Sequence, residues 1–184
     1  NFLCEKGIDN HFIKRLNSRE QLIRKVKIIP IEFVVRNFAL GSIVKRYNLQ
    51  KEYKFKKPLI ELFLKKDELN DPLINDDLIT ELGWVNKSEL ADLKNKALII
   101  NEHLINLFGK IDIELIDFKI EFGKTVYNNE SKLILADEIS PDNCRLWDKN
   151  TKKNFDKDIF RNNTGDLIQG YQEIIKRFEI KIES

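Results

Sequence analysis

From Leu115 to Phe122 the chain alternates, with Ile116, Phe118, Ile120 and Phe122 set against Asp117, Lys119 and Glu121. A period of two predicts a strand with apolar groups on one face and charges on the other. Leu133 to Ala136 reads as a second strand, closing in Asp137-Glu138 before the turn-rich run Ser140 to Asp148. Upstream, Leu22 to Ile28 and Ile31 to Phe38 read as strands rich in Val, Ile and Phe, with Pro30 a break between them. Pro58 to Leu64 is a further strand, preceded by a charged connection, Lys51 to Lys57, and followed by an Asn70-Asp71-Pro72 turn.

Helical spacing appears elsewhere. Ser42 is placed to cap a short helix through Ile43 to Tyr47, and Ile74 to Gly83 suggests another. Leu90, Leu93, Ala97, Ile100, Leu104 and Leu107 recur at three-four spacing, which predicts a helix from Ser88 to Phe108 with Gly109 as terminator. A last helix is expected from Asp166 to Phe178, burying Leu167, Ile168, Tyr171, Ile174, Ile175 and Phe178. Strands come first, then helix, hairpin and helix, so the fold class is α+β or mixed α/β. The division expected is a sheet-rich part over residues 1–66 and a larger part over 67–184.

A chain of 184 residues, 42% hydrophobic and 34% charged, can bury one good core or those of two small lobes. No apolar run reaches membrane-spanning length and no signal-like segment opens the chain. With 32 basic against 30 acidic residues the net charge is +2, so neither nucleic acid nor a membrane is expected as a partner. Cys4 and Cys144 suit neither a zinc site nor a disulfide framework, and a reducing cytoplasm fits best. His11 and His103 share no obvious partner, which argues against a histidine-based triad. The lack of methionine, with Asn1 first, leads us to expect a truncated or partly observed protein.

Paired antiparallel, the two hairpin strands could gather Asp117, Glu121 and Asp137 beside Lys119. Carboxylates offer hard oxygen ligands to magnesium, and a lysine offers a point charge to phosphate. A solvated hairpin face laced with ion pairs would leave the same pattern. Cations also recur at element ends: Arg36 with Ser42, Lys65, Arg145, Lys157 and Arg161. Singly these are ordinary surface charges. Interspersed with Asp71 and Asp142 in turn-bearing loops, they suit a phosphorylated, carboxylated substrate.

Six motifs carry a resemblance: Ile29-Pro30-Ile31-Glu32-Phe33-Val34-Val35-Arg36-Asn37; Gly41-Ser42; Pro58 through Asp71-Pro72; Asp117 to Gly123; Asp137-Glu138-Ile139-Ser140-Pro141-Asp142 with Arg145-Leu146-Trp147-Asp148; and Asp156-Lys157-Asp158 with Phe160-Arg161. In this order, from about Leu3 to the C-terminus, they resemble the phosphoribosylaminoimidazole-succinocarboxamide synthase (SAICAR synthetase) family. The resemblance implies a two-lobed fold with a sheet-rich N-terminal lobe, truncated here, a larger C-terminal α/β lobe, and ATP in the cleft between them. It implies a homo-oligomeric, ATP- and Mg2+-dependent ligase of purine biosynthesis. Such an enzyme joins carboxyaminoimidazole ribonucleotide (CAIR) to L-aspartate, giving SAICAR, ADP and phosphate.

Carried over by position, Asp117, Glu121 and Asp137 would hold magnesium on ATP, with Lys65 and Lys119 as catalytic cations near the phosphates. The connector from Lys27 to Glu32, with Lys27, Ile28, Ile29 and Glu32, would hold adenine through backbone groups. Arg36, Ser42, Asp71, Asp142, Arg145, Lys157 and Arg161 would bind the ribotide and aspartate. Cys144 is expected to be a spectator thiol. The glycine- and lysine-bearing strand-loop-strand that covers the nucleotide phosphates in this family has no counterpart in these residues. A kinase-like phosphotransferase is an alternative, but it would want His-Arg-Asp and Asp-Phe-Gly, and Asp117-Phe118 is followed by Lys119. A nucleotide- or RNA-binding module would want a concentrated basic face, which near-neutral charge disfavours.

Overall fold

Both faces of the alternating strand are covered. Ile116, Phe118, Ile120 and Phe122 are buried as expected, yet Asp117 and Glu121 on the opposite face are also only 3% and 4% exposed. The solvated-hairpin reading therefore fails for these two residues. The computed structural model describes residues 2–17, 20–127, 130–156 and 167–179.

In chain order the elements are α1 (Phe2–Glu5), β1 (Phe12–Arg15), β2 (Gln21–Ile23), β3 (Lys27–Phe38), α2 (Ser42–Tyr47), β4 (Lys54–Leu64), a 3-10 turn (Asp67–Leu69), α3 (Asp76–Glu81), α4 (Lys87–Gly109), β5 (Ile113–Tyr127), β6 (Glu130–Leu135), β7 (Cys144–Asp148) and α5 (Leu167–Arg177). β1 and β2 form a two-stranded antiparallel sheet. The larger sheet has the order β4-β3-β5-β6, with β7 also paired to β5. β6 lies antiparallel along β5 in the register Phe122↔Leu135 to Tyr127↔Glu130, and β7 along its first half, Ile113↔Asp148 to Phe118↔Cys144. The mixed α+β class is that of the structure.

Several boundaries differ from the sequence reading. β3 runs unbroken through Pro30, which has no N–H to give but whose carbonyl accepts from Lys65 N at 3.1 Å. The strand expected from Leu22 is split between β2 and β3. β4 starts inside the expected charged connection because it is an edge strand, where lysines and Pro58 are tolerated and blunt further pairing. Most of the polar stretch Lys124 to Lys132 that joins the two hairpin strands is ladder, since Thr125, Val126 and Tyr127 favour extended backbone. In α5, Ile174 is buried but Ile168 is 63% exposed, so the expected apolar face is narrower.

Helix α4 keeps its predicted stripe through Leu90, Leu93, Ala97, Ile100 and Leu104, each at most 2% exposed, but at its end Phe108 is buried and the expected Leu107 only half-buried. Its start is a reciprocal capping box: Asn86 Oδ1 accepts from Glu89 N at 2.9 Å, and Glu89 Oε2 from Asn86 N at 2.8 Å. Among the described residues no helix is long and apolar enough to cross a membrane.

The chain divides into two compact units, each discontinuous in sequence. The first is Asn1–Val34, Ile60–Ile100 and Ile120–Glu138, where Phe33 meets Phe122 edge-on at 5.0 Å. The second is Val35–Leu59, Asn101–Lys119 and Ile139–Ser184, where Leu40, Ile116 and Trp147 pack together with Phe38. The division expected from sequence, 1–66 and 67–184, instead follows the chain linearly.

Candidate active site

In the second unit, the end of β3 carries Arg36, only 3% exposed. A guanidinium cannot shed its charge, so burial requires an anion and further acceptors. Asp117 supplies the anion: Arg36 Nη1 donates to its Oδ2 at 2.8 Å, and to the Leu40 carbonyl at 3.3 Å. Arg36 Nη2 reaches Ser42 Oγ at 3.4 Å.

The register of β7 on β5 places Arg145 opposite Asp117, just after an irregularity between Leu115 and Asp117. Arg145 Nη1 donates to Asp117 Oδ1 at 3.0 Å and to Oδ2 at 2.8 Å. Both guanidiniums converge on one carboxylate, and planar forks of this kind suit anionic ligands. The backbone of Gly41 makes room for Arg145: at φ 67° it adopts a conformation side chains disfavour, and a Cβ there would lie 2.8 Å from Arg145 Nη2. Gly41, not Ser42, is the N-cap of α2, and no side chain caps it. The expectation that Ser42 caps this helix is therefore corrected; its hydroxyl faces Arg36.

The first unit holds a second charged group. At the end of β4, Lys65 Nζ lies 2.6 Å from both Oε1 and Oε2 of Glu121, a carboxylate 4% exposed. The lysine side chain is 46% exposed, so its ammonium can meet a ligand from solvent. Lys65 N also donates to Pro30 O in β3. Glu121 O accepts from Ala136 N at 2.9 Å, which places Asp137 directly after the paired residue. Asp137 Oδ1 accepts from Glu138 N at 2.9 Å.

The remaining expected residues take simpler settings. Asp71 Oδ1 accepts from Lys66 N at 2.8 Å, tying a turn in which Asn70 and Asp71 both have positive φ. Asp142 is exposed, with its N–H on Ser140 Oγ. Lys119 is half-buried and its N–H donates to Asn143 O at 2.9 Å. Lys27 and Ile28 are exposed, Ile29 is buried and Glu32 is partly so. Lys157 and Arg161 lie outside the described residues.

Among the described residues no three His, Cys, Asp or Glu side chains gather as a metal-holding group. Asp117 is instead engaged by arginines, for which a cation would have to compete. Glu121 and Asp137 keep the donor chemistry magnesium prefers. The sequence reading missed Asp156, fully buried, whose Oδ2 accepts from Leu146 N at 2.8 Å beside Arg145. The signal available for it was its place at the head of Asp156-Lys157-Asp158.

A sequence-family model described as SAICAR synthetase matches residues 1–178. A phosphoribosylaminoimidazole-succinocarboxamide synthase of Staphylococcus epidermidis is 55% identical over 178 residues, which is 97% of this chain and 75% of that protein. The crystal structure of the synthase of the same name from Ehrlichia chaffeensis aligns with a TM-score of 0.95 at 46% identity, covering 99% of this chain and 77% of that one. A SAICAR synthetase in complex with ADP aligns with a TM-score of 0.92 at 42% identity, covering 100% and 77%. With sequence and fold agreeing over nearly its whole length, the chain belongs to the SAICAR synthetase family.

Proposed function

We propose that this chain is an ATP-dependent ligase of de novo purine biosynthesis, joining the carboxylate of CAIR to the amine of L-aspartate to give SAICAR, ADP and phosphate. The observation that carries this reading is the 55% identity, across 97% of the chain, to a phosphoribosylaminoimidazole-succinocarboxamide synthase. ADP in a 42%-identical relative supports ATP as the phosphoryl source.

A carboxylate is a poor acyl donor because oxide would have to leave. Transfer of the γ-phosphoryl group to one carboxylate oxygen releases ADP and leaves an acyl phosphate. The aspartate nitrogen, in its neutral amine form, then attacks the carbonyl carbon; the C–N bond forms, the C–O bond to phosphate breaks, and the nitrogen loses a proton. Positioning and charge neutralisation suffice, and no protein nucleophile is needed.

Lys65 and Glu121 serve the phosphate end of the nucleotide, with Lys119 as a second cation. Glu121 and Asp137 would hold magnesium, which when bound neutralises charge on the transferring phosphoryl group. Arg36 and Arg145 present planar forks to the anionic groups of the ribotide or aspartate, and Asp117 orients both. Ser42, Asp71, Asp142, Lys157 and Arg161 complete the substrate-binding set, and the connector 27–32 holds adenine. We read the compartment as cytoplasm, which suits Cys4 and Cys144 standing outside any disulfide, and the assembly as a homo-oligomer.

A coupled assay of ADP release tests the reaction. Release should require CAIR and aspartate together, with SAICAR formed in equal amount. Release with CAIR alone, accompanied by a stable phosphorylated product, would replace the ligase with a phosphotransferase.

A further inference from the structure

Gly123 stands inside β5, buried, and its φ is not in the left-handed region. A strand interior gives glycine no conformational reason to be there, and alanine at such a position normally costs less entropy. The reason is spatial. A Cβ built at Gly123 would lie 2.9 Å from Val26 Cγ2, 3.0 Å from Val26 Cβ and 3.2 Å from the Lys27 carbonyl oxygen. None of these atoms is the loose end of a long side chain: valine is β-branched and stiff at χ1, and the carbonyl is backbone. Two positions further on, Thr125 Oγ1 donates to Lys25 O at 3.4 Å, so the same stretch of β5 touches the approach to β3 twice.

We propose that Gly123 is a positioning residue for the nucleotide: its missing side chain lets the backbone at Val26–Lys27 close onto β5 and sets where the 27–32 connector presents its groups to the base. This rests on the reading of 27–32 as the adenine connector. Close backbone approach is a recurrent use of glycine in strands, and here the segment brought close leads directly into the connector. Any side chain at 123 pushes Val26 and Lys27 outward. Lys65 N on Pro30 O holds the far part of the connector, so the shift is taken up between Lys27 and Pro30.

The test is calorimetric binding of ADP and of CAIR to the intact protein in four forms: parent, Gly123→Ala, Val26→Ala and Val26→Ala/Gly123→Ala. A displacement of a few tenths of an ångström in the groups that hold the base should weaken ADP on the order of tenfold in Gly123→Ala, with CAIR affinity little changed. Removing the valine methyls frees the 2.9 Å contact to Cγ2 and leaves the Val26 Cβ at 3.0 Å, so the double variant should recover part of the loss. Unchanged ADP affinity in Gly123→Ala overturns the proposal, as does equal weakening of ADP and CAIR, or a double variant no better than Gly123→Ala. The connector reading is checked separately on the parent, by comparing ATP with the triphosphate of purine riboside, which lacks the 6-amino group. No discrimination there refutes the adenine connector. Clear discrimination with an unaffected Gly123→Ala refutes only the role of Gly123.

Discussion

Arg36 Nη1 lies 2.8 Å from Asp117 Oδ2, and each side chain is 4% exposed. A pair this deep repays its desolvation only when geometry and further hydrogen bonds are good, and Asp117 adds a second guanidinium, from Arg145, to the same carboxylate. The aspartate thereby fixes where two planar cations point. That is a different duty from binding a metal, and the two can be told apart.

Asp117→Asn keeps the shape and removes the charge that orients both arginines. The KM for CAIR should rise on the order of tenfold or more, while the magnesium concentration for half-maximal rate stays put. Kinetics at several magnesium concentrations check this. A raised magnesium requirement with normal CAIR KM would return Asp117 to the metal.

Glu121→Gln makes the complementary change. It keeps a hydrogen-bond acceptor for Lys65 but removes an anionic oxygen donor, so turnover should fall on the order of 10²-fold with an increased magnesium requirement. Thermal melting should show the variant folded. A folded Glu121→Gln enzyme with parental turnover and magnesium response would remove Glu121 from the nucleotide site.

Element types were legible in the sequence where periodicity was long. The stripe of α4 and the alternation of β5 are both borne out because burial enforces those periods. What alternation cannot reveal is whether the polar face is also covered. Asp117 and Glu121 look like surface charges in sequence and are buried because Arg36, Arg145 and Lys65 arrive from segments far away in the chain. Local rules failed at Pro30 for a related reason, since tertiary pairing of its carbonyl overrides its tendency to end a strand. At Gly41-Ser42 the sequence favoured serine as the cap, but the space Arg145 occupies demands glycine there and turns the hydroxyl to Arg36.

Asn37 and Asn101 form a buried amide pair that no local pattern announces. Asn37 Nδ2 donates to Asn101 Oδ1 at 2.9 Å and Asn101 Nδ2 to Asn37 Oδ1 at 3.0 Å, tying β3 to α4 one residue from Arg36. Asn101→Ala leaves the Asn37 carbonyl without its donor in a buried setting, a loss of about 1–3 kcal/mol. Urea titration should show a lower midpoint at unchanged slope. An unshifted midpoint would mean that the pair contributes nothing net.

Asp148 makes stability pH-dependent. Its Oδ1 accepts from Thr151 N at 2.6 Å, Asn150 N at 2.9 Å and Thr151 Oγ1 at 2.9 Å, and its Oδ2 from Arg177 Nη2 at 2.6 Å. The Thr151 amide and the Arg177 guanidinium lead these contacts in holding the carboxyl far below its ordinary value of 3.8. A carboxyl depressed in the folded state contributes fully above the unfolded-chain value, about 4, and loses that contribution as pH falls below it. Arg177 also donates to Ile111 O and Asp112 O, so protonating Asp148 weakens the tie between α5 and the start of β5. Urea midpoints should therefore drop as pH is lowered from about 5 towards 2. Asp148→Asn should lower the midpoint near neutral pH and flatten the acid decline. If the variant declines as steeply as the parent, the acid sensitivity belongs to other carboxylates.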